Sequence, residues 1–266
     1  MKHIKPYKIF ESDEPNFPTT REEVIVVCTR YRIRNYTIND DLSIDVNDDI
    51  RLSNEHLEYL PLKFNYVSGN FKCYFNELIT LEGCPQSVGG DFNCHDNELK
   101  TLEGCPQSVG GDFNCHDNEL KTLEGCPQSV GGDFNCSHND IETLKGCPQT
   151  VDGDFYCFGN NLVSLEGCSE IINGTFNCHD NKLKDLEYFP EVNGDIYILF
   201  NPVYSLVRTF IENEETDSFI IEDFIDYEIV RNRDTVMLDR LETFIRDNNL
   251  KMPDLEEIKK HYKIIE

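Results

Sequence analysis

At 266 residues the chain is long enough for one large domain or two small ones, and 50 acidic against 24 basic residues leave a formal net charge of −26. That balance excludes a general nucleic-acid binder, which needs clustered Lys and Arg against phosphate, and a protein that docks on anionic membrane; it suits basic partners or high solubility. No apolar run reaches 18 residues, so no transmembrane helix is expected.

Met1 to Phe10 is basic and polar with no apolar centre, and it does not read as a signal peptide. Eleven of the twelve cysteines fall on positions of an internal repeat. With no export signal, that placement predicts reduced, buried thiols and a cytoplasmic protein. Val24-Ile25-Val26-Val27-Cys28 reads as a β-strand that Tyr31-Arg32-Ile33-Arg34 extends. Residues 1–45 lack the period of the repeat and are expected to cap its first coil.

From residue 46 the repeat dominates the chain. The block from Leu81 to Cys94 recurs almost unchanged at Leu102 and Leu123 and in drifted form at Leu144 and Leu165, with a period of 21 residues. It reaches upstream to Ile50 and Leu52, and downstream it loses one residue before Ile196 and Ile198, so eight F-x-C-type strands are expected. Phe92 and Cys94 are two apart and share a face, while Asn93 faces the other way. The Phe, Cys and Leu rows of successive coils should therefore stack into one core. Pairs such as Gly89-Gly90, Asp152-Gly153 and Asn173-Gly174 read as tight turns that need positive φ. Asn76, Asn97, Asn118, Asn139, Asn160, Asn181 and Asn201 read as a buried ladder that satisfies backbone groups where the chain bends.

F-x-C-x-x-N-x-L-x-x-L resembles the L-x-L-x-x-N-x-L core of leucine-rich repeats, with Phe and Cys where Leu is commoner. The wording L-E-G-C-P-x-x-V-G-G-D-F-x-C is similar to short-repeat (21-residue) proteins of tailed bacteriophages and bacteria. The resemblance covers residues 46–203 and implies an α/β repeat fold, a leucine-rich-repeat-like parallel β-solenoid. It also implies work inside an infected bacterium, on a host or defence protein.

After Pro202 the spacing turns helical. Val203, Leu206, Val207, Phe210 and Ile211 make one stripe, Phe219 to Tyr227 a second helix, and Met237, Leu238, Leu241, Phe244 and Ile245 a third. Pro253 opens a fourth, with Leu255, Ile258, Tyr262 and Ile265 on one side. Residues 204–266 are expected to form a C-terminal helical cap.

The outward strand face is the candidate site. One row holds Asp91, Asp112, Asp133 and Asp154, repelling one another at the strand spacing of ~4.8 Å. The uniform rows break at Tyr156, Phe158, Tyr197 and Leu199, and exposed aromatics are the usual anchors of a protein interface. Partner binding is therefore expected at Asp112, Asp133, Asp154, Tyr156, Phe158, Tyr197 and Leu199. Cys94 and His95 are adjacent on a strand and face opposite ways, so the Cys-His pairs are not expected to hold zinc, and no metal or cofactor is expected. No nucleophile–base pair or phosphate loop stands apart from the repeat, so no catalytic residue is expected. The expected function is non-enzymatic: binding a basic protein partner on the strand face. The alternatives are an acidic mimic of nucleic acid, since residues 57–202 carry 23 acidic and 7 basic side chains, or a structural component of a virion.

Overall fold

The computed structural model describes residues 15–210 and 217–265. Strand Phe92–Asn93 pairs in parallel, in register, with Phe71–Lys72 on one side and Phe113–Asn114 on the other. Eight such strands, from Ile50–Arg51 to Ile196–Tyr197, form a single parallel sheet. Phe92, Cys94 and their equivalents are fully buried and the intervening Asn93 row is half-exposed. The phenylalanines stack through the core, with ring centroids 5.5 Å apart at Phe71–Phe92 and 5.8 Å apart at Phe92–Phe113. The chain is a parallel β-solenoid.

The return segment of each coil is also a strand, which the pattern did not announce. Ser87–Val88, Ser108–Val109 and Ser129–Val130 pair in parallel with one another and with Phe64–Val67 and Ile44–Val46, and Tyr36–Ile38 adds an antiparallel edge. Thr150–Val151, Ile171–Ile172 and Glu191–Val192 continue the row as a separate three-stranded sheet. Two residues suffice for a strand here because each coil's backbone bonds to its neighbours in the stack and Val88 supplies the inward side chain. Between Ile44 and Val203 there is no helix, so the coils are all-β rather than α/β.

The glycines divide differently from expectation. None of the Gly-Gly pairs takes positive φ. Positive φ falls instead on Gly83, Gly104, Gly125, Gly146 and Gly167. At Gly104 (φ +86°) the bond from Cys105 N–H to Leu102 O at 3.0 Å closes a turn that demands this conformation at its third residue. Gly89, Gly110 and Gly131 are glycine where coils touch: a Cβ at Gly110 would overlap the carbonyl oxygen of Gly89, whereas the same row carries Asp152 and Asn173 in later coils, where the return strands form a separate sheet.

The asparagine ladder joins the coils. Asn139 Oδ1 accepts from Leu120 N–H at 3.0 Å, and Nδ2 donates to the carbonyls of Cys115, Cys136 and Ser137 at 3.1, 3.2 and 3.1 Å. The same pattern recurs at Asn97, Asn118, Asn160 and Asn181.

Val24–Cys28 is not a strand. It lies within helix α1 (Arg21–Arg30), with Val24, Val27 and Cys28 buried. Those three stand at helical spacing, and the start carries a capping signal: Thr20 Oγ1 accepts from Glu23 N–H, and the Glu23 carboxylate accepts from Thr19 N–H at 2.7 Å. The β-branched composition was outweighed by this cap and by the need to bury one stripe. Tyr31 and Arg32 leave the helix in a turn.

In the C-terminal segment, α2 (Tyr204–Val207) runs into a 3-10 turn at Arg208–Phe210, and α3 (Asp217–Asp226) and α4 (Leu238–Asp247) follow as the spacing predicts. Met1 to Phe10 and Ile211 lie outside the described residues. The fourth helix is shorter than expected: α5 (Leu255–Ile258) stops after one turn, and Lys263–Ile265 is a strand instead. That strand pairs in parallel with Thr235–Met237, which itself forms an antiparallel pair with Val230–Arg231. Ile265 is exposed, so it does not continue the apolar side of α5. The segment packs against the last coils. Val203, Leu206 and Phe210 share one core with Ile196 and Ile198, and Tyr262 OH donates to Lys184 O at 3.1 Å.

Candidate functional site

The outward rows of the eight-stranded sheet are built by the same local geometry that buries Phe and Cys, but not all of them are free to bind. Asp112 Oδ1 accepts from Asp133 N–H at 2.9 Å, Asp133 Oδ1 from Asp154 N–H at 2.8 Å, and Asp154 Oδ1 from Thr175 N–H at 2.7 Å. Each carboxylate thus caps a backbone donor of the next coil, a second polar ladder parallel to the asparagine one. Burial and the carboxylates of Asp112 and Asp154 push the Asp133 pKa above the ordinary carboxylate range. The Tyr156 hydroxyl and the Thr175 N–H hold that of Asp154 below it.

The predicted aromatic residues are brought onto one face but differ in freedom. Tyr156 is half-buried and donates its hydroxyl to Asp154 Oδ2 at 2.5 Å. Phe158 is half-buried, stacked on His179 at 4.5 Å with His138 edge-on at 4.9 Å. Tyr197, on the last strand, and Leu199, in the turn after it, are exposed. Next to them stands Phe200, which the repeat pattern did not single out: it is 76% exposed and holds φ at +59°. Its equivalents in earlier coils are Asn54, Phe75, Asp96, Asp117, His138, Gly159 and Asp180, so the row carries an exposed phenylalanine near each end of the stack, and the aspartates and glycine between suit that left-handed position far better. The signal that would have found both is an aromatic residue immediately before the ladder asparagine.

The adjoining row is a run of stacked rings. Tyr74 lies 4.6 Å from His95, and His95 lies 4.3 Å from His116. His95 Nδ1 is 2.6 Å from Asp96 Oδ2, while His116 Nε2 is 3.3 Å from Asp117 Oδ2 and 3.8 Å from Asp96 Oδ2. Burial, then the neighbouring His95, lowers the His116 pKa. This cluster was not among the expected sites either, although two consecutive coils both spell His-Asp-Asn.

The chain matches no protein-family model and no curated protein.

The thiols form an inert interior. All twelve cysteines are unpaired and ten are buried. Burial pushes the Cys28 thiol up to about 11 and the partly exposed Cys147 up to about 12, and raises Cys94, Cys115 and Cys136 well above the ordinary value. Thiolate is the reactive form, so Cys94, Cys115 and Cys136 should stay unmodified when the native protein is alkylated at neutral pH and react fully in denaturant. Rapid native labelling of all three, read by mass spectrometry, would contradict this burial.

A cleft of about 600 Å³ separates the last coil from the C-terminal segment, between Tyr188 and Arg231. On its lining Glu228 is held by Arg231 and, from outside the cleft, by Arg240. No helix among the described residues is long and apolar enough to cross a membrane.

Proposed function

We propose that this protein is a non-enzymatic binding protein that offers the strand face of an acidic solenoid to a basic protein partner. The observation that carries this reading is Phe200, a large apolar ring kept in a left-handed backbone conformation and 76% exposed, beside the exposed Tyr197 and Leu199. The left-handed bend belongs to every coil, but a phenylalanine there costs more than the Asp or Gly of other coils, and its exposure suits an anchor for a partner. The acidic rows beside it would act on association rate and salt dependence more than on affinity. In the same reading the flanking segments, 1–45 and 204–266, are caps on a leucine-rich-repeat-like solenoid of residues 46–203. The likeness of its repeat to phage-encoded repeats favours a host or defence protein in the bacterial cytoplasm as the partner.

The test is affinity capture from bacterial lysate, identification of what co-purifies by mass spectrometry, and measurement of its affinity for variants. Tyr197→Ala and Phe200→Ala should each lose ~2 kcal/mol of binding, about thirtyfold in Kd, with the melting profile unchanged. Glu124→Ala, on the turn around Gly125, should bind as the wild type does. A partner bound equally well by all three variants would move the interface off this face. Charge reversal at Asp112 or Asp133 is the poorer probe, because each carboxylate also caps a backbone N–H.

A further inference from the structure

We propose that His95, Asp96 and His116 form a binding site for one divalent transition-metal ion, with water completing its coordination. One ligand atom from each of the first three lies within 4.8 Å of the others. Four ligand atoms held tetrahedrally at ~2.0–2.1 Å from zinc are themselves about 3.3 Å apart. His116 Nε2 and Asp96 Oδ2 stand 3.8 Å apart, and the 2.6 Å hydrogen bond from His95 to Asp96 opens by less than ~1 Å to reach the tetrahedral spacing as the ion replaces its proton.

The hydrogen bonds around His116 prepare it as a ligand. Asn114 Oδ1 accepts from the backbone N–H of His116 at 3.2 Å, which identifies that atom as the amide oxygen. The same oxygen lies 2.7 Å from His116 Nδ1, so Nδ1 carries a proton and donates. An imidazole oriented through one nitrogen in this way presents the other to a metal. Here the other nitrogen, Nε2, lies 3.8 Å from Asp96 Oδ2 and 3.3 Å from Asp117 Oδ2, on the side where the carboxylates stand. Asp96 and Asp117 are about a third and a half exposed, so an ion can reach the site from solvent.

Among the described residues the site occurs once, because it needs two adjacent coils. His179 repeats the His116 geometry, with Nδ1 2.7 Å from Asn177 Oδ1, but its neighbours in the row are Phe158 and Leu199. Beyond His116 the row continues as Ser137, whose hydroxyl takes the same bond to Asn135. Two imidazoles with one carboxylate select a borderline ion such as Zn²⁺, Co²⁺ or Ni²⁺ over Ca²⁺ or Mg²⁺.

The experiment is a calorimetric titration of the full chain with Zn²⁺, followed by Co²⁺ absorption spectra. One ion per chain is expected, with Co²⁺ bands of nitrogen and oxygen ligation and no thiolate charge-transfer band. His116→Ala should abolish binding, Asn114→Ala should weaken it roughly tenfold through loss of ring orientation, and His179→Ala should leave it unchanged. Circular dichroism checks that each variant is folded. No binding, binding that survives the His95→Ala/His116→Ala double variant, or a thiolate band would overturn the proposal.

Discussion

Replacing Asn139 by Ala should destabilise the solenoid by about 3 kcal/mol, because one side chain supplies four hydrogen bonds in a dry turn and each is worth roughly 0.5–1.5 kcal/mol net. The losses are unequal. Cys115 O and Cys136 O each keep a second donor, from Asn118 and Asn160. Leu120 N–H bonds to Asn139 Oδ1, and after truncation it is a buried donor facing a small void. Asn139→Asp should be worse than Asn139→Ala: it keeps the acceptor for Leu120 but turns a carboxylate towards three carbonyl oxygens, and an unpaired buried charge costs more than a missing bond. The effect should be local, since each coil contacts only its neighbours. Amide exchange should therefore show protection at Leu120 falling about a hundredfold, the equivalent of ~3 kcal/mol, with smaller changes at distant ladder positions such as Leu78. Equal stability of Asn139→Ala and wild type in denaturant unfolding would mean that the ladder is ornamental.

Gly110→Ala should cost about 3 kcal/mol by overpacking and the loss of coil-to-coil hydrogen bonds. The sign is informative, because glycine to alanine at negative φ ordinarily stabilises by roughly 0.4–1 kcal/mol through the unfolded chain. Gly110 has no positive φ to protect. Its added methyl would meet the Gly89 carbonyl, which is backbone and cannot swing aside. The coils would have to part where Gly110 N–H reaches Val88 O at 2.9 Å and Gly111 N–H reaches Gly90 O at 3.0 Å. Gly159→Asp is the matching control. Gly159 does hold positive φ, at +65°, but Asp96, Asp117 and Asp180 hold the same conformation in the same row, and its added Cβ, 2.7 Å from His138 Nδ1, meets an exposed side chain that can swing aside. That change should stay within about 0.5 kcal/mol. A Gly110→Ala protein as stable as wild type would show that the coil corner is looser than the structure has it.

Much of this molecule was written in periodicity. A 21-residue repeat with alternating Phe-x-Cys leaves one way to bury both side chains, so the eight Phe-x-Cys strands, their register and the Asn ladder could be read directly, as could α3 and α4 from their apolar spacing. The period itself carries no information about distance between coils. It could not say that Gly89-Gly90 is glycine for close approach while Gly104 is glycine for its φ, because both recur at the same period through the near-identical coils. Nor could it separate the jobs within the outward face. Asp112, Asp133 and Asp154 look like free charge in sequence, and only stacking shows each carboxylate on the next coil's N–H. Val24–Cys28 failed for the opposite reason: five β-branched or small apolar residues favour a strand locally, but Thr20 caps a helix there and only one stripe meets the first coil. His95 and His116 are 21 positions apart in the chain and 4.3 Å apart in space. Backbone pairing set by the buried Phe row brings them together, and chemistry that depends on two coils exists only once they are stacked.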